Sequence, residues 1–100
     1  MMNVVELNME KIRNLCDHHK VSRLFVFGSI VKGSFNEDSD VDLIVDFDNV
    51  QLSEYADNYF DLKVQLEKLF NRSVDLLEEK AIRNPYFRKE IEKDKKLIYG

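Results

Sequence analysis

Cysteine, proline, glycine and tryptophan are all scarce in this chain of 100 residues, which has one, one, three and none of them. A lone thiol, Cys16, cannot close an internal disulfide, which suits a reducing compartment. It falls in a helical pattern with Ile12 and Leu15 and reads as a small buried or half-buried side chain rather than a nucleophile. So little glycine and proline means sparse punctuation and short loops, with no repeat, low-complexity tract or interdomain linker. His18 and His19 have no other Cys or His at metal-ligand spacing and read as the polar end of the first helix. No apolar run approaches the roughly 18 residues of a membrane span. The opening Met1-Met2-Asn3-Val4-Val5-Glu6 has neither a basic leader nor a cleavage pattern, so a cytoplasmic location is expected.

Positive charge is missing from the middle of the chain. Residues 33 to 62 hold nine acids and no lysine or arginine. Acids crowded together are costly unless cations neutralise them. Between residues 80 and 96 the balance reverses, with seven bases against three acids. This segment either meets phosphate, nucleic acid or an acidic partner, or is a solvated helix face laced with i,i+4 pairs.

What is present is a foldable chain, 44% apolar and 34% charged. Its length suits one compact domain over residues 1–100, too small for a catalytic domain plus a separate substrate domain. Asn8 is positioned to cap a first helix, with Leu7 and Ile12 as a hydrophobic staple. Ile12 and Leu15, with Cys16 and His19, give its inner stripe, and it should end near residue 19 or 20. Residues 23–27 read as a buried strand, 30–32 as one helical turn, and 34–39 as a loop. A second strand begins at Asp40 or Val41 and runs to Phe47, with Val41, Leu43, Val45 and Phe47 facing a core. Residues 52–70 form the longest helix, its stripe being Leu52, Tyr55, Ala56, Tyr59, Leu62, Leu66 and Leu69. Residues 72–77 form a third strand in which Val74 and Leu76 point one way and Ser73, Asp75 and Leu77 the other. Asn84 with Pro85 starts a last helix to about residue 95, with Phe87 and Ile91 inward. Leu97, Ile98 and Tyr99 make a strand edge or docked tail, an apolar edge that a homodimer would cover. The order of elements is that of an α/β layer fold, one small sheet covered by helices.

Chemistry concentrates in Gly28-Ser29-Ile30-Val31-Lys32-Gly33 and, seven positions on, Asp40-Val41-Asp42-Leu43. Residues i and i+2 of a strand share a face, so Asp40 and Asp42 project side by side roughly 7 Å apart along the backbone. Two acids so placed can share divalent ions. Gly28 lets the backbone turn and approach a ligand, and Gly33 permits a second change of direction. Between them, N–H groups and the Ser29 hydroxyl can hold a phosphate, with Lys32 at the same lip. Asp75 is a third acid available to the pair. Asp46 shares the face but lies further along and stays outside the set.

This joint pattern resembles the minimal nucleotidyltransferases of the DNA polymerase β-like superfamily. It resembles in particular the small bacterial and archaeal proteins encoded beside HEPN-domain partners in toxin–antitoxin pairs. The resemblance implies a polymerase β-like fold with a small mixed sheet. It implies that Asp40 and Asp42 hold two Mg2+ ions, and that Asp75 assists one of them and draws the proton from the attacking hydroxyl. Gly28 and Ser29 would grip the β and γ phosphates of a nucleoside triphosphate, with Lys32 and Gly33 in the same element. The reaction would transfer a nucleoside monophosphate and release pyrophosphate. Two-metal chemistry and hard oxygen ligands suit such a transfer, since charge builds on both entering and leaving oxygens.

The same resemblance implies ATP as donor and, as acceptor, a tyrosine of a cognate HEPN ribonuclease toxin, silenced by the added negative charge. Two other readings stand beside it. One is a non-catalytic module that neutralises its partner by binding, although a pure binder has no use for acids that repel one another. The other is transfer to a nucleic acid or small molecule, if the basic segment lines the acceptor groove.

Overall fold

The computed structural model describes residues 3–100. Five helices and four strands alternate: α1 (Val4–Leu7), α2 (Met9–His18), β1 (Val21–Phe27), α3 (Ser29–Lys32), β2 (Val41–Phe47), α4 (Leu52–Phe70), β3 (Val74–Glu78), α5 (Pro85–Asp94) and β4 (Lys96–Tyr99), with a 3-10 turn at Glu79–Ala81. The sheet order is β3-β2-β1-β4. β1 is antiparallel to β2 and β4, while β2 and β3 are parallel, so the sheet is mixed as expected. The parallel pair follows from α4, because parallel neighbours need a long crossover.

One face of the sheet is closed by helices. Val41, Leu43, Val45 and Phe47 of β2 meet Ile12 and Cys16 of α2 and Leu62, Leu66 and Phe70 of α4 in the main core. The alternation read from β2 is therefore a true inside–outside alternation. On the opposite face a smaller cluster joins Phe25, Ile44 and Ile91. α5 thus packs on the face that also carries Asp42 and Asp75. Among the described residues no helix is long and apolar enough to cross a membrane.

Several expectations about helix ends need correction. The chain begins its helical course at Asn3, whose Oδ1 accepts from the N–H groups of Val5 and Glu6 at 3.0 and 2.9 Å. Asn8 makes no side-chain cap and instead joins α1 to α2, its Nδ2 donating to the Val4 carbonyl. The expected staple does not form, since Leu7 is exposed. Leu52 and Ala56 are also exposed, and Phe70 is buried in their stead. At 1.5 Å per residue α4 is about 28 Å long, whereas β2 at 3.3 Å per residue spans about 23 Å, so the first turn of α4 overhangs the sheet. Phe87 is half-exposed rather than inward, although Ile91 is buried. β4 is an edge strand, which settles the alternative left open for the chain's last apolar residues.

His19 belongs to the inner stripe rather than to a polar end. It is buried, with Nδ1 2.7 Å from the Leu15 carbonyl and Nε2 2.6 Å from Asp61 Oδ2. Each ring nitrogen thus faces an oxygen, one a backbone carbonyl and the other a carboxylate. Cys16 is fully buried, and burial together with the Asp17 charge pushes its thiol up to about 12. It is an inert packing group, as the helical pattern indicated.

Candidate active site

The site forms where β1 ends and β2 begins. Phe27, Asp42 and Asp75 are register partners across β1, β2 and β3, so they form one row on one face of the sheet. Asp40 lies two residues before Asp42, just outside β2. The strand phase read from the sequence thus brings Asp42 and Asp75 together, and Asp40 stands beside them.

Directly after Phe27 the chain turns at Gly28, with φ 76° and ψ −145°. Its carbonyl accepts from the N–H groups of Val31 and Lys32, both at 3.0 Å, which closes the short helix α3. A side chain at Gly28 would place Cβ 2.3 Å from Oδ2 of Asp42. Glycine is therefore required twice, by the left-handed backbone and by the carboxylate against it. Gly33, at φ 83° in the left-handed region, ends the helix in open space. Ser29 stands at the first helical position, facing no cap of its own.

Asp42 is half-buried while Asp40 and Asp75 are exposed. Burial raises the Asp42 carboxyl above its ordinary range, and the charges of Asp75 and then Asp40 push it the same way. Like charges gathered on a partly desolvated carboxylate are costly in isolation and are relieved by a cation. Among the described residues no three His, Cys, Asp or Glu side chains close into a ready-made metal cage. Magnesium does not demand one, since it commonly takes one or two carboxylates together with water and substrate phosphates. An all-oxygen donor set around Asp42 fits that ion.

Lys32 pairs with Asp94 of α5 at 3.5 Å. Asp46 is held by Arg23 at 3.0 Å, further along β2 and outside the row. Three of the seven bases of the basic segment are in ion pairs on or beside α5. Arg88 pairs with Glu79 at 2.7 Å, Lys93 with Glu90 at 3.3 Å and Lys95 with Glu92 at 2.8 Å.

Arg72 has a place in the site that the sequence did not reveal. Its Nη1 donates to the carbonyls of Asn36 and Ser39 at 3.0 and 2.9 Å, and its guanidinium lies 4.5 Å from the Phe35 ring centroid. The Nε of the same side chain is buried without a partner. One residue thereby ties the loop before Asp40 to the start of β3, whose next backbone group, the Ser73 carbonyl, accepts from Val41 N–H at 3.1 Å. The only hint in the sequence was an arginine just before the third acidic strand.

Comparison with known proteins places this geometry. The family model described as polymerase beta, nucleotidyltransferase matches residues 10–100. A candidate protein adenylyltransferase of Methanocaldococcus jannaschii is 36% identical over 99 residues, covering 99% of this chain and 96% of that one. A solved structure of a candidate minimal nucleotidyltransferase superposes with a TM-score of 0.77 at 30% identity, covering 95% of each chain. The MNT antitoxin solved in complex with a tri-AMPylated HEPN toxin of Shewanella oneidensis superposes at 0.64, covering 94% of this chain and 71% of that one. At 21% identity that last likeness shows the fold. A mixed four-stranded sheet, a glycine turn pressed against a half-buried aspartate, and a family match over nearly the whole length lead to one conclusion: the chain belongs to the polymerase β nucleotidyltransferase family and is a nucleotidyltransferase.

Proposed function

We propose that the protein transfers AMP from ATP to a hydroxyl of a protein partner, a tyrosine of a cognate HEPN ribonuclease toxin, and so acts as its antitoxin. The observation that carries the catalytic part is the row in which Gly28 abuts Asp42 and Asp42 lies opposite Asp75. Support for the acceptor comes from the M. jannaschii relative, named for protein adenylyl transfer, and from the MNT antitoxin found with an AMPylated HEPN toxin.

In this reading Asp40, Asp42 and Asp75 hold Mg2+. The ions supply neutralisation of the entering and leaving oxygens at the α-phosphorus. The residues of the chain do the rest. Gly28 and Ser29 seat the β and γ phosphates, and Gly33 sets the end of that short element. Lys32 adds positive charge at the lip once it leaves Asp94. The acceptor oxygen attacks the α-phosphorus, its proton passes to Asp75, and the bond to pyrophosphate breaks. Arg72 keeps the loop before Asp40 in place while this happens. Positioning and fixed charge supply most of the barrier reduction in transfers of this kind.

The test is to incubate the protein with Mg2+, ATP and a co-purified or neighbouring HEPN-type protein, and to map the product by peptide mass analysis. AMP on a toxin tyrosine, with loss of its ribonuclease activity, is the expected result. Neutralisation with no covalent change, and undiminished in an Asp40→Asn, Asp42→Asn double variant, overturns it in favour of stoichiometric binding.

A further inference from the structure

The catalytic face holds an aromatic pair that phosphate and metal chemistry leave without a task. Phe27 flanks Asp42 on one side as Asp75 does on the other. Register partners in an antiparallel pair lie about 5 Å apart at Cα and share a face. Phe87 of α5 meets Phe27 edge-on, with ring centroids 6.4 Å apart and an interplanar angle of 76°. Rings that only fill a core are covered. Phe25, two residues before Phe27 on the same face, is 8% exposed, and Ile91, one turn beyond Phe87, is 4% exposed, whereas Phe87 is 42% exposed.

The backbone that carries Phe87 is also fixed. Asn84 Oδ1 accepts from the N–H groups of Tyr86 and Phe87 at 2.9 and 3.2 Å, fixing the first turn of α5. The next residue, Arg88, donates to Glu79 Oε1 at 2.7 Å and to the carbonyls of Glu79 and Ile82 at 3.0 and 3.1 Å. An exposed ring is thus carried on a fixed helical turn and joined through Phe27 to the acid row, where a side chain serving only packing would be buried. Such preorganisation lowers the ordering cost of any ligand that stacks there.

We propose that the Phe27–Phe87 pair is the nucleobase platform of the donor nucleotide, with the base lying on the open side of Phe87 while the phosphates lie at Gly28, Ser29 and the acids. The inference rests on the chain being a nucleotidyltransferase and adds where the base goes. Stacking on an aromatic ring tolerates any base, because each has a π face. The platform therefore contributes affinity for nucleotides over bare polyphosphate, and favours purines through their larger stacking area.

The chain has no tryptophan, so Phe87→Trp introduces a single tryptophan at the platform, which is excited selectively over the tyrosines. The variant is titrated with Mg·ATP and with Mg·tripolyphosphate, with calorimetry in parallel on it, on wild type and on Phe87→Ala. The expected result is quenching by ATP and none by tripolyphosphate. Phe87→Ala should bind ATP roughly tenfold more weakly, as expected for a lost base stack, while its affinity for tripolyphosphate, which reports an intact fold and phosphate site, is unchanged. ATP binding by calorimetry without quenching, and undiminished in Phe87→Ala, overturns the platform and leaves the nucleotidyltransferase site standing. No ATP binding by wild type overturns both. Quenching by N-acetyltyrosinamide but not by ATP overturns it too and assigns the ring to the acceptor.

Discussion

Gly28 and Asp42 form the tightest coupling in the molecule between backbone and chemistry. An alanine Cβ at position 28 would lie 2.3 Å from Asp42 Oδ2 in a backbone that disfavours any L side chain. Gly28→Ala is expected to cost about 1–2 kcal/mol for the left-handed residue alone. Displacement of the carboxylate should lower kcat on the order of 10²-fold, the usual penalty for small misplacements at a reacting centre. Activity and thermal denaturation measured together check both effects. Asp42 itself is held charged at a cost. Its carboxyl is raised by burial first and then by Asp75 and Asp40, so its contribution favours the fold below the ordinary carboxylate range and is lost as pH rises through the raised value. Asp42→Asn is therefore expected to raise Tm at neutral pH in metal-free buffer while abolishing transfer, and added Mg2+ should narrow the gap by stabilising only the wild type. An unchanged or lowered Tm without metal contradicts this. Both residues were legible in the sequence, because strand phase and the glycine between a strand and a helical turn are local signals. Arg72 was not, since its two carbonyl partners lie 33 and 36 positions away.

The strands were easier to read than the helix ends. β2 alternates between two environments that both demand apolar or acidic partners, so its face assignment held from Val41 to Phe47. The ends of helices depend on competition among nearby caps and on how far the sheet extends. Asn3 won over Asn8 as the capping side chain, and the overhang of α4 left Leu52 in solvent. The loop of residues 34–39 is the element on which catalysis should depend most indirectly. Arg72→Ala releases two carbonyls and the Phe35 stack at once and is expected to cost about 1.5–3 kcal/mol, the range for hydrogen bonds to charged groups. On the proposal that Asp40 holds Mg2+, it should also raise the Mg2+ concentration that transfer requires, with little rescue by Arg72→Lys, because a single ammonium cannot reproduce the fork and the stack. A magnesium titration of initial rates distinguishes this from a simple loss of folded protein. Between α2 and α4, His19 donates to Asp61, and this hydrogen bond holds the Asp61 carboxyl below its usual range. A lowered value means stability present above the unfolded carboxylate range and lost as pH falls through the folded one. The decline of wild-type Tm on acidification below about pH 4 should accordingly be shallower in Asp61→Asn.

At the scale of the whole molecule the sheet separates two tasks. One face is sealed by α2 and α4 and supplies the apolar burial that holds the fold. The other carries the acid row, with α5 lying across part of it. The sequence implied a mixed sheet through the family it resembles, and the crossover length of α4 explains why β2 and β3 run parallel. It gave no means to place α5 on the face of the acid row, because the apolar pair Phe87 and Ile91 fits either side equally well. Nor did it show that Arg88 is spent on an internal ion pair, which is set by the return of α5 toward Glu79. The central claim is that the acid row catalyses AMP transfer. Its most direct test is intact mass analysis of the proposed HEPN partner after incubation with Mg2+ and ATP, comparing wild type, the Asp40→Asn, Asp42→Asn double variant, and Asp46→Asn, which alters an acid on the same strand outside the row. Added AMP with wild type and Asp46→Asn, and none with the double variant, is the expected result. Equal modification by all three proteins, or by none while the partner is still silenced, would contradict it.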